Sequence, residues 1–116
     1  MISYETRLGT VTLSEAYLSK LIGHEVTSCF GVVGMKPHNP RQRITQLLSK
    51  KETVDTGISV TGTIETMRVE IHLAVAYGTN ISAIANSITE KVEYAVKQAT
   101  GIEVEKVVVK VDDMHE

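Results

Sequence analysis

The sequence predicts an α+β fold, a two-layer sandwich whose helices pack on one face of a mostly antiparallel sheet. The first observation behind this is residues 81–100, where apolar residues recur every three or four positions, as on one face of a helix. The second is residues 58–77, where apolar and polar residues alternate as in a half-buried strand. A helix of about 20 residues is about 30 Å long and can cross a small sheet. We therefore expect the helix and the strands to share one core.

The long helix has both a start and a stop signal. Asn80 can cap its first N–H groups, and Gly101 can adopt the left-handed conformation that ends a helix. The predicted inner stripe consists of Ile81, Ile84, Ala85, Ile88, Val92, Ala95, Val96 and Ala99. The opposite face is polar and should meet water, with Asn86, Glu90, Glu93 and Lys97.

The N-terminal part predicts a short strand, Gly9–Leu13, that runs directly into a helix. Thr12 and Glu15 have the spacing of a capping box, in which a hydroxyl and a carboxylate satisfy each other's backbone donors. Two helical stripes follow and are both candidates for the core. One comprises Leu13, Ala16, Tyr17, Leu21 and His24, and the other Leu18, Ile22 and Val26.

Residues 29–35 form an uncharged apolar run, which predicts a strand buried on both faces. Asn39 and Pro40 then provide a cap and the proline favoured at the first helical position. They predict a short helix over residues 40–50 with Ile44, Leu47 and Leu48 facing inward.

The C-terminal half of the sequence predicts a hairpin and, at its end, a bent strand. Ile58, Val60 and Ile64 alternate with polar residues, and a second alternating run covers residues 69–77, with the turn near residues 65–67. In the final segment the apolar residues change parity between Val104 and Val107. A bulge or bend at residues 105–106 would turn both sets toward the core.

The composition is that of a soluble globular protein of 116 residues with a formal net charge of −2. Cys29 is the only cysteine, which excludes an intramolecular disulfide and favours a reducing compartment. The first 15 residues lack the basic and apolar regions of a signal peptide, and no apolar run approaches the ~18 residues of a membrane span. We expect a cytoplasmic protein.

Groups that could carry out catalysis are dispersed along the sequence. The four histidines, His24, His38, His72 and His115, lack the spacing of metal ligands, and Cys29 heads an apolar run where a thiol packs as a small hydrophobe. No nucleophile elbow, phosphate loop or dinucleotide fingerprint is present. We therefore expect no enzyme activity, no catalytic residue, no cofactor and no metal. Residues 31–34, GVVG, formally match the GxxG of KH domains, but valines occupy the middle positions.

The candidate site is a basic segment between residues 36 and 51. It holds five cations and no acid, so that the rest of the chain carries a formal charge of −7. A basic patch on an acidic body can bind an anionic partner such as a protein surface, membrane headgroups or phosphate. Without an aromatic edge, we expect only weak association with a membrane surface. The candidate partner-binding residues are Lys36, Arg41, Arg43, Lys50 and Lys51.

Several of these segments together resemble the alkaline shock protein family of envelope stress response proteins. The resemblance rests on the GxVTL start at Gly9, the GVVGM strand, the YGTNIS junction at Tyr77, the long helix ending in TG, and the closing IxVxxVxVxV strand. It covers about residues 9–111 and implies a single domain over residues 1–116. The short chain, without an acidic tail, is similar to the housekeeping branch, whose Firmicute members are encoded beside a kinase of the dihydroxyacetone or fatty-acid kinase type.

The resemblance implies a cytoplasmic, non-enzymatic protein that is linked to the cell envelope and positioned near the membrane. We expect an adaptor or scaffold that self-associates as a homo-oligomer and binds a protein partner, for which the neighbouring kinase is a candidate. We do not expect nucleic-acid binding as the main role. Two alternatives stay open: a KH-like nucleic-acid-binding domain that uses the basic 36–51 segment, and a small-molecule sensor or cryptic enzyme with an apolar pocket.

Overall fold

In the computed structural model, which describes residues 2–35 and 56–115, the chain has the predicted α+β fold. Within those residues, two helices and six strands follow one another. In order, they are β1 (Ile2–Thr6), β2 (Gly9–Leu13), α1 (Glu15–Thr27), β3 (Val32–Met35), β4 (Ile58–Thr61), β5 (Arg68–Ala76), α2 (Ile81–Thr100) and β6 (Lys106–His115). The helix predicted for residues 40–50 lies outside the described residues.

The main sheet is built around β5. On one side, β6 runs parallel to β5 along its whole length. On the other side, β4 pairs antiparallel with the first half of β5 and β3 pairs antiparallel with the second half. Because β5 and β6 are parallel, the chain between them must cross over the sheet, and α2 is that crossover. Strands β1 and β2 form a separate antiparallel hairpin.

Both helices cover one face of the main sheet and enclose the core. The contribution of β5 is Val69, Ile71, Leu73 and Val75, all at most 2% exposed. The helices add buried side chains from one stripe each: Leu18, Ile22 and Val26 from α1, and Ile84, Ile88, Val92 and Val96 from α2. The alternation predicted for residues 69–77 is thus confirmed from Val69 to Leu73, but Ala74 of the predicted outer face is 0% exposed and Tyr77 of the predicted inner face is 66% exposed.

The predicted ends of α2 are confirmed. Asn80 accepts a hydrogen bond from the Ala83 amide through its side-chain oxygen at 3.1 Å. Gly101 has φ +77°, and its amide donates to the Lys97 carbonyl at 2.8 Å, so the helix ends in the left-handed conformation. The inner stripe is shorter than predicted, because Ile81 is 51% exposed and Ala99 is exposed.

The start of α1 differs from the predicted capping box. Ser14, not Thr12, is the N-cap, and its hydroxyl accepts from the Tyr17 amide at 3.0 Å. Thr12 is held in β2, where its hydroxyl lies 3.1 Å from that of Ser3 on the neighbouring strand β1, which the sequence did not predict. Of the two predicted stripes only the second is buried, since Tyr17 is 45% exposed and both Ala16 and His24 are exposed.

The strand predicted over residues 29–35 is shorter and less covered than expected. It begins at Val32, because Gly31 has φ +90° and bends the chain before it. The prediction of burial on both faces is wrong: Phe30 is 91% exposed and Val33 is 50% exposed. The physical reason is position, since β3 pairs with β5 alone among the described strands and Val33 lies at an irregularity in that pairing.

The final strand has the predicted bend and an unpredicted bulge. The amides of Glu105 and Lys106 both point at the Met67 carbonyl, at 2.9 and 3.4 Å, which marks the bend between the two parities. A second irregularity falls at Asp112, because Leu73 pairs with Val111 whereas the next residue of β5 pairs with Asp113. Bulges of this kind change which side chains face each side of a strand.

Candidate functional site

The sequence-predicted basic site cannot be placed on the fold. Lys36, Arg41, Arg43, Lys50 and Lys51 all lie outside residues 2–35 and 56–115. The structure therefore neither gathers nor separates them, and their role in binding stays a prediction.

Cys29 is a core residue, as its apolar surroundings predicted. It is 4% exposed, and its thiol lies 3.4 Å from the Glu25 carbonyl oxygen one helical turn earlier. The KH-like GVVG motif is not in a loop between two helices, because Gly31 occupies a turn and Val32 to Gly34 belong to strand β3. That placement does not resemble a phosphate-gripping loop.

The described histidines lie on three separate elements. His24 is exposed on α1, His72 lies on β5 and His115 is exposed near the end of β6. Within the two described ranges, no group of three or more histidine, cysteine or acidic side chains could hold a metal ion.

A polar network lies on the sheet face opposite the helices. His72 Nδ1 lies 2.7 Å from Asp112 Oδ2, and its Nε2 lies 3.6 Å from Glu70 Oε2. Lys110 Nζ lies 3.1 Å from Glu70 Oε1. The imidazole thus joins β5 to the bulged Asp112 of β6, and the network fixes how the two parallel strands align at the bulge.

The network shifts the ionisation of one carboxyl group. The hydrogen bond from Lys110 lowers the pKa of Glu70 below its usual value, burial opposes this, and the charges of Lys110 and His72 add to the lowering. Because the folded-state pKa is lowered, the stabilisation is present above the unfolded-state pKa of about 4.3. It is lost as the pH falls through the folded-state value.

Lys110→Met should therefore cost stability at neutral pH but not in acid. We expect the free energy of unfolding to fall by about 0.5 kcal/mol at neutral pH, since the pair is partly exposed, and to match the wild type once Glu70 is protonated. Urea denaturation of both proteins at neutral and acid pH measures this. Lys91→Met removes an exposed lysine of α2 and should change little at either pH. An equal loss in acid would mean that the lysine stabilises the protein by packing.

A shallow groove of about 420 Å³ lies on the solvent side of α2. Its lining is largely exposed and charged, with Lys97 Nζ 3.4 Å from Glu103 Oε1. A small-molecule sensor would need an apolar pocket with a few convergent polar groups, and this groove is not of that kind. Its residues are Glu90, Glu93, Tyr94, Lys97, Glu103 and Val104.

The most unusual surface is an exposed apolar region at one end of the main sheet, which we call the apolar end. Here β3 begins, β5 and β6 end, and α2 begins. Tyr77 is joined to β6 by its amide, which donates to the His115 carbonyl at 2.7 Å, and the Ala76 amide donates to the Gly31 carbonyl at 2.9 Å. The exposed fractions are 91% for Phe30, 66% for Tyr77, 53% for Met114, 51% for Ile81 and 50% for Val33.

The backbone of the apolar end is closely packed beneath these side chains. A Cβ atom on Gly31 would lie 2.7 Å from Ile84 Cδ1 and 3.2 Å from Thr79 Cγ2. Only glycine fits at this position, because its φ of +90° also disfavours other residues. Gly31 therefore lies against Ile84 in the first turn of α2, while the neighbouring Phe30 is exposed to water.

Sequence reasoning missed the apolar end because its residues belong to patterns that are otherwise buried. Phe30 and Val33 lie in the apolar run, Tyr77 continues the alternation of β5, and Ile81 starts the stripe of α2. The position of each near the end of its pattern was the available signal. Exposed apolar patches of this kind, with aromatic residues, mark protein-interaction surfaces.

The outer edge of β6 is a second surface that could bind a protein. Among the described strands, this ten-residue strand pairs with β5 only. A strand with one unpaired edge can add another strand by backbone hydrogen bonds. No helix within residues 2–35 and 56–115 combines the length and the hydropathy needed to cross a membrane.

Comparison with known proteins gives one family and two close relatives. The profile of the alkaline shock protein 23 family, described as having a cell envelope-related function, matches residues 3–116. The uncharacterized protein YloU of Bacillus subtilis is 31% identical over 107 residues, which cover 91% of this chain and 88% of YloU. The uncharacterized protein Spy1614 of Streptococcus pyogenes is 27% identical over 113 residues, covering 97% and 93%. No solved structure is significantly similar.

Proposed function

Because the chain belongs to the alkaline shock protein 23 family, with its cell envelope-related function, we propose that it is a non-enzymatic adaptor that supports the envelope by self-association and by binding a partner protein. The observation that carries this proposal is the apolar end. A chain with one phenylalanine exposes 91% of that side chain to water. Leaving such a side chain in water forgoes the stabilisation that its burial would bring, and a partner that covers it recovers that stabilisation.

The arrangement of the apolar end also favours binding over packing within the monomer. Tyr77 is joined to β6 by its own amide, and Gly31, the residue after Phe30, is joined to β5 by its carbonyl group. Rigid aromatic side chains lose little conformational entropy when they bind, which is why they dominate many interfaces. We infer that Phe30 and Tyr77 are the main anchors for the partner. The lone buried thiol of Cys29 fits an adaptor that works in the reducing cytoplasm.

The test replaces both anchors in a bacterium that carries this gene. We expect Phe30→Ser/Tyr77→Ser to reduce survival under cell-wall antibiotics to the level of a deletion strain. Tyr94→Ser is the matched control, because Tyr94 is 68% exposed, close to the 66% of Tyr77, but lies on the outer face of α2. It should survive like the wild type.

Photo-crosslinking then tests whether a protein binds the apolar end. A photo-reactive amino acid is placed at position 30 in one variant and at position 94 in another. Position 30 should yield a recurring crosslinked protein that position 94 does not. The proposal is wrong if the double variant folds with an unchanged urea midpoint and still protects the cells. Substitutions at such exposed positions usually change stability by less than about 0.5 kcal/mol, so a folding defect is not expected to obscure the result.

A further inference from the structure

We propose that the edge of β6 with which no described strand pairs, here called the free edge, is where two copies of this chain meet, pairing antiparallel about a two-fold axis that passes beside Val109. This rests on the self-association in the proposed function and specifies its interface. The two main sheets would become one continuous sheet across the dimer. The apolar end lies at the far end of β6 from Lys106 and stays available for a different protein.

The backbone of β6 shows which residues can bond to a second strand. The Lys106 amide points at the Met67 carbonyl and the His115 carbonyl accepts from Tyr77, so both residues direct their backbone groups toward β5. Successive residues of a strand point these groups to opposite edges. Lys106 has an even residue number and His115 an odd one, yet both point toward β5, because the bulge at Asp112 lies between them. The groups that point to the free edge are therefore those of Val107, Val109 and Val111.

The side chains of these three valines favour an apolar neighbour. Val107, Val109 and Val111 pair with the core residues of β5 and contact the core, yet each remains only partly buried. They lie along the border of the sheet, where no described strand covers them on the outer side. A second strand placed beside them would bury that border, and side chains directly opposite one another in antiparallel strands are about 5 Å apart.

Three two-fold registers can be centred on a residue whose backbone faces the edge. Centring on Val107 places Val109 opposite Glu105, and centring on Val111 places Val109 opposite Asp113. Centring on Val109 instead places valine opposite valine at all three positions. Because antiparallel neighbours share a face, matching of the apolar residues selects the register centred on Val109.

The charges of β6 agree with the same register. Lys106 of one copy lies opposite Asp112 of the other, and the symmetry repeats this pair at both ends. Exposed lysines and a bulge normally protect an edge strand from indiscriminate pairing. The charges exclude the register centred on Val107, in which Lys106 lies opposite Val108, and the matching of the valines decides between the other two. Since a two-fold interface uses the same edge on both copies, the assembly closes as a dimer with about six new backbone hydrogen bonds.

Cysteine at the symmetry axis provides the decisive test. In Val109→Cys the two introduced thiols face each other with Cα atoms about 5.5 Å apart, within the range for a disulfide. We expect mild oxidation to give a covalent dimer. Val107→Cys is the matched control, because its own copy lies four residues along the partner strand, about 13 Å away. A mixture of Val107→Cys and Val111→Cys should crosslink again. Cys29 is buried and serves as background in all variants.

A proline variant checks the hydrogen bonds without altering the pairing with β5. Val109→Pro removes an N–H that points to the free edge, a place where a strand tolerates proline. We expect at least a tenfold weaker dimer by light scattering, with the monomer still folded. The inference is overturned if Val109→Cys oxidises no faster than Val107→Cys while the wild type self-associates, a result that leaves the adaptor proposal standing. A wild type that stays monomeric at every concentration contradicts both.

Discussion

Ile88→Ala is expected to lower the free energy of unfolding by about 3–4 kcal/mol, the usual range for removing a large buried aliphatic side chain. Ile88 is 0% exposed and lies in the middle of α2, within the core between the helices and the main sheet. Truncation removes transfer free energy and leaves a cavity that the surrounding core residues cannot fill without moving. Urea denaturation followed by circular dichroism measures the loss.

Ile81→Ala provides the same chemical change in the same helix. Because Ile81 is 51% exposed, we expect a loss below about 1 kcal/mol. If the two variants lost similar amounts of unfolding free energy, α2 would not pack on the sheet through the face that carries Ile88.

The second large effect is expected at Gly62, in the turn between β4 and β5. Gly62 has φ +93°, and a Cβ atom there would clash with the Thr66 carbonyl oxygen. That oxygen belongs to the backbone of the turn, so the clash is relieved only if the hairpin distorts. We expect Gly62→Ala to reduce the free energy of unfolding by about 3 kcal/mol. This is the sum of two costs, the strain of holding alanine in a left-handed backbone conformation and the overpacking of its methyl group.

Two other glycines separate these causes. Gly101→Ala has φ +77° but open space around the new methyl group, so it should show the strain alone, about 1 kcal/mol. Gly34→Ala has neither feature and should change stability little. If Gly62→Ala were no worse than Gly101→Ala, the turn would be more adaptable than its geometry indicates.

The elements with two independent signals were predictable from the sequence. Helix α2 has a periodic stripe together with a cap at each end; both caps agree with the structure, and the stripe agrees from Ile84 to Val96. Strand β5 has an alternation that matches its burial pattern from Val69 to Leu73, whereas Ala74, on the opposite parity, is buried as well. In these segments local preference and long-range packing favour the same conformation, which is the condition under which a sequence can be interpreted without its fold.

Other features depend on partners that a sequence does not specify. Thr12 has a residue type and spacing suited to a cap, but pairing with β1 holds it in a strand. Phe30, Tyr77 and Ile81 have patterns that predict burial, but they lie where the opposing layer ends. Periodicity tells which side of an element is apolar and not how far its cover extends.

The candidate site shows the same division. The basic segment was recognisable from composition alone, since charge needs no fold to be counted. The apolar end and the edge of β6 become visible only after β5 has been placed between its neighbours. Val107, Val109 and Val111 were correctly predicted to face the core, but that they also form a border followed only from the pairing of β6 with β5.

The central position of β5 has a further consequence for how the molecule is made. Strands β3, β4 and β6 each pair with β5, which spans residues 68–76. A nascent chain emerging from the ribosome can therefore form the β1–β2 hairpin and α1 early. Strand β3 can pair only after β5 has been synthesised, about 35 residues later. Strand β6 is translated after β5 and the intervening helix α2, so the flank of β5 that β6 covers stays without its partner until β6 has emerged.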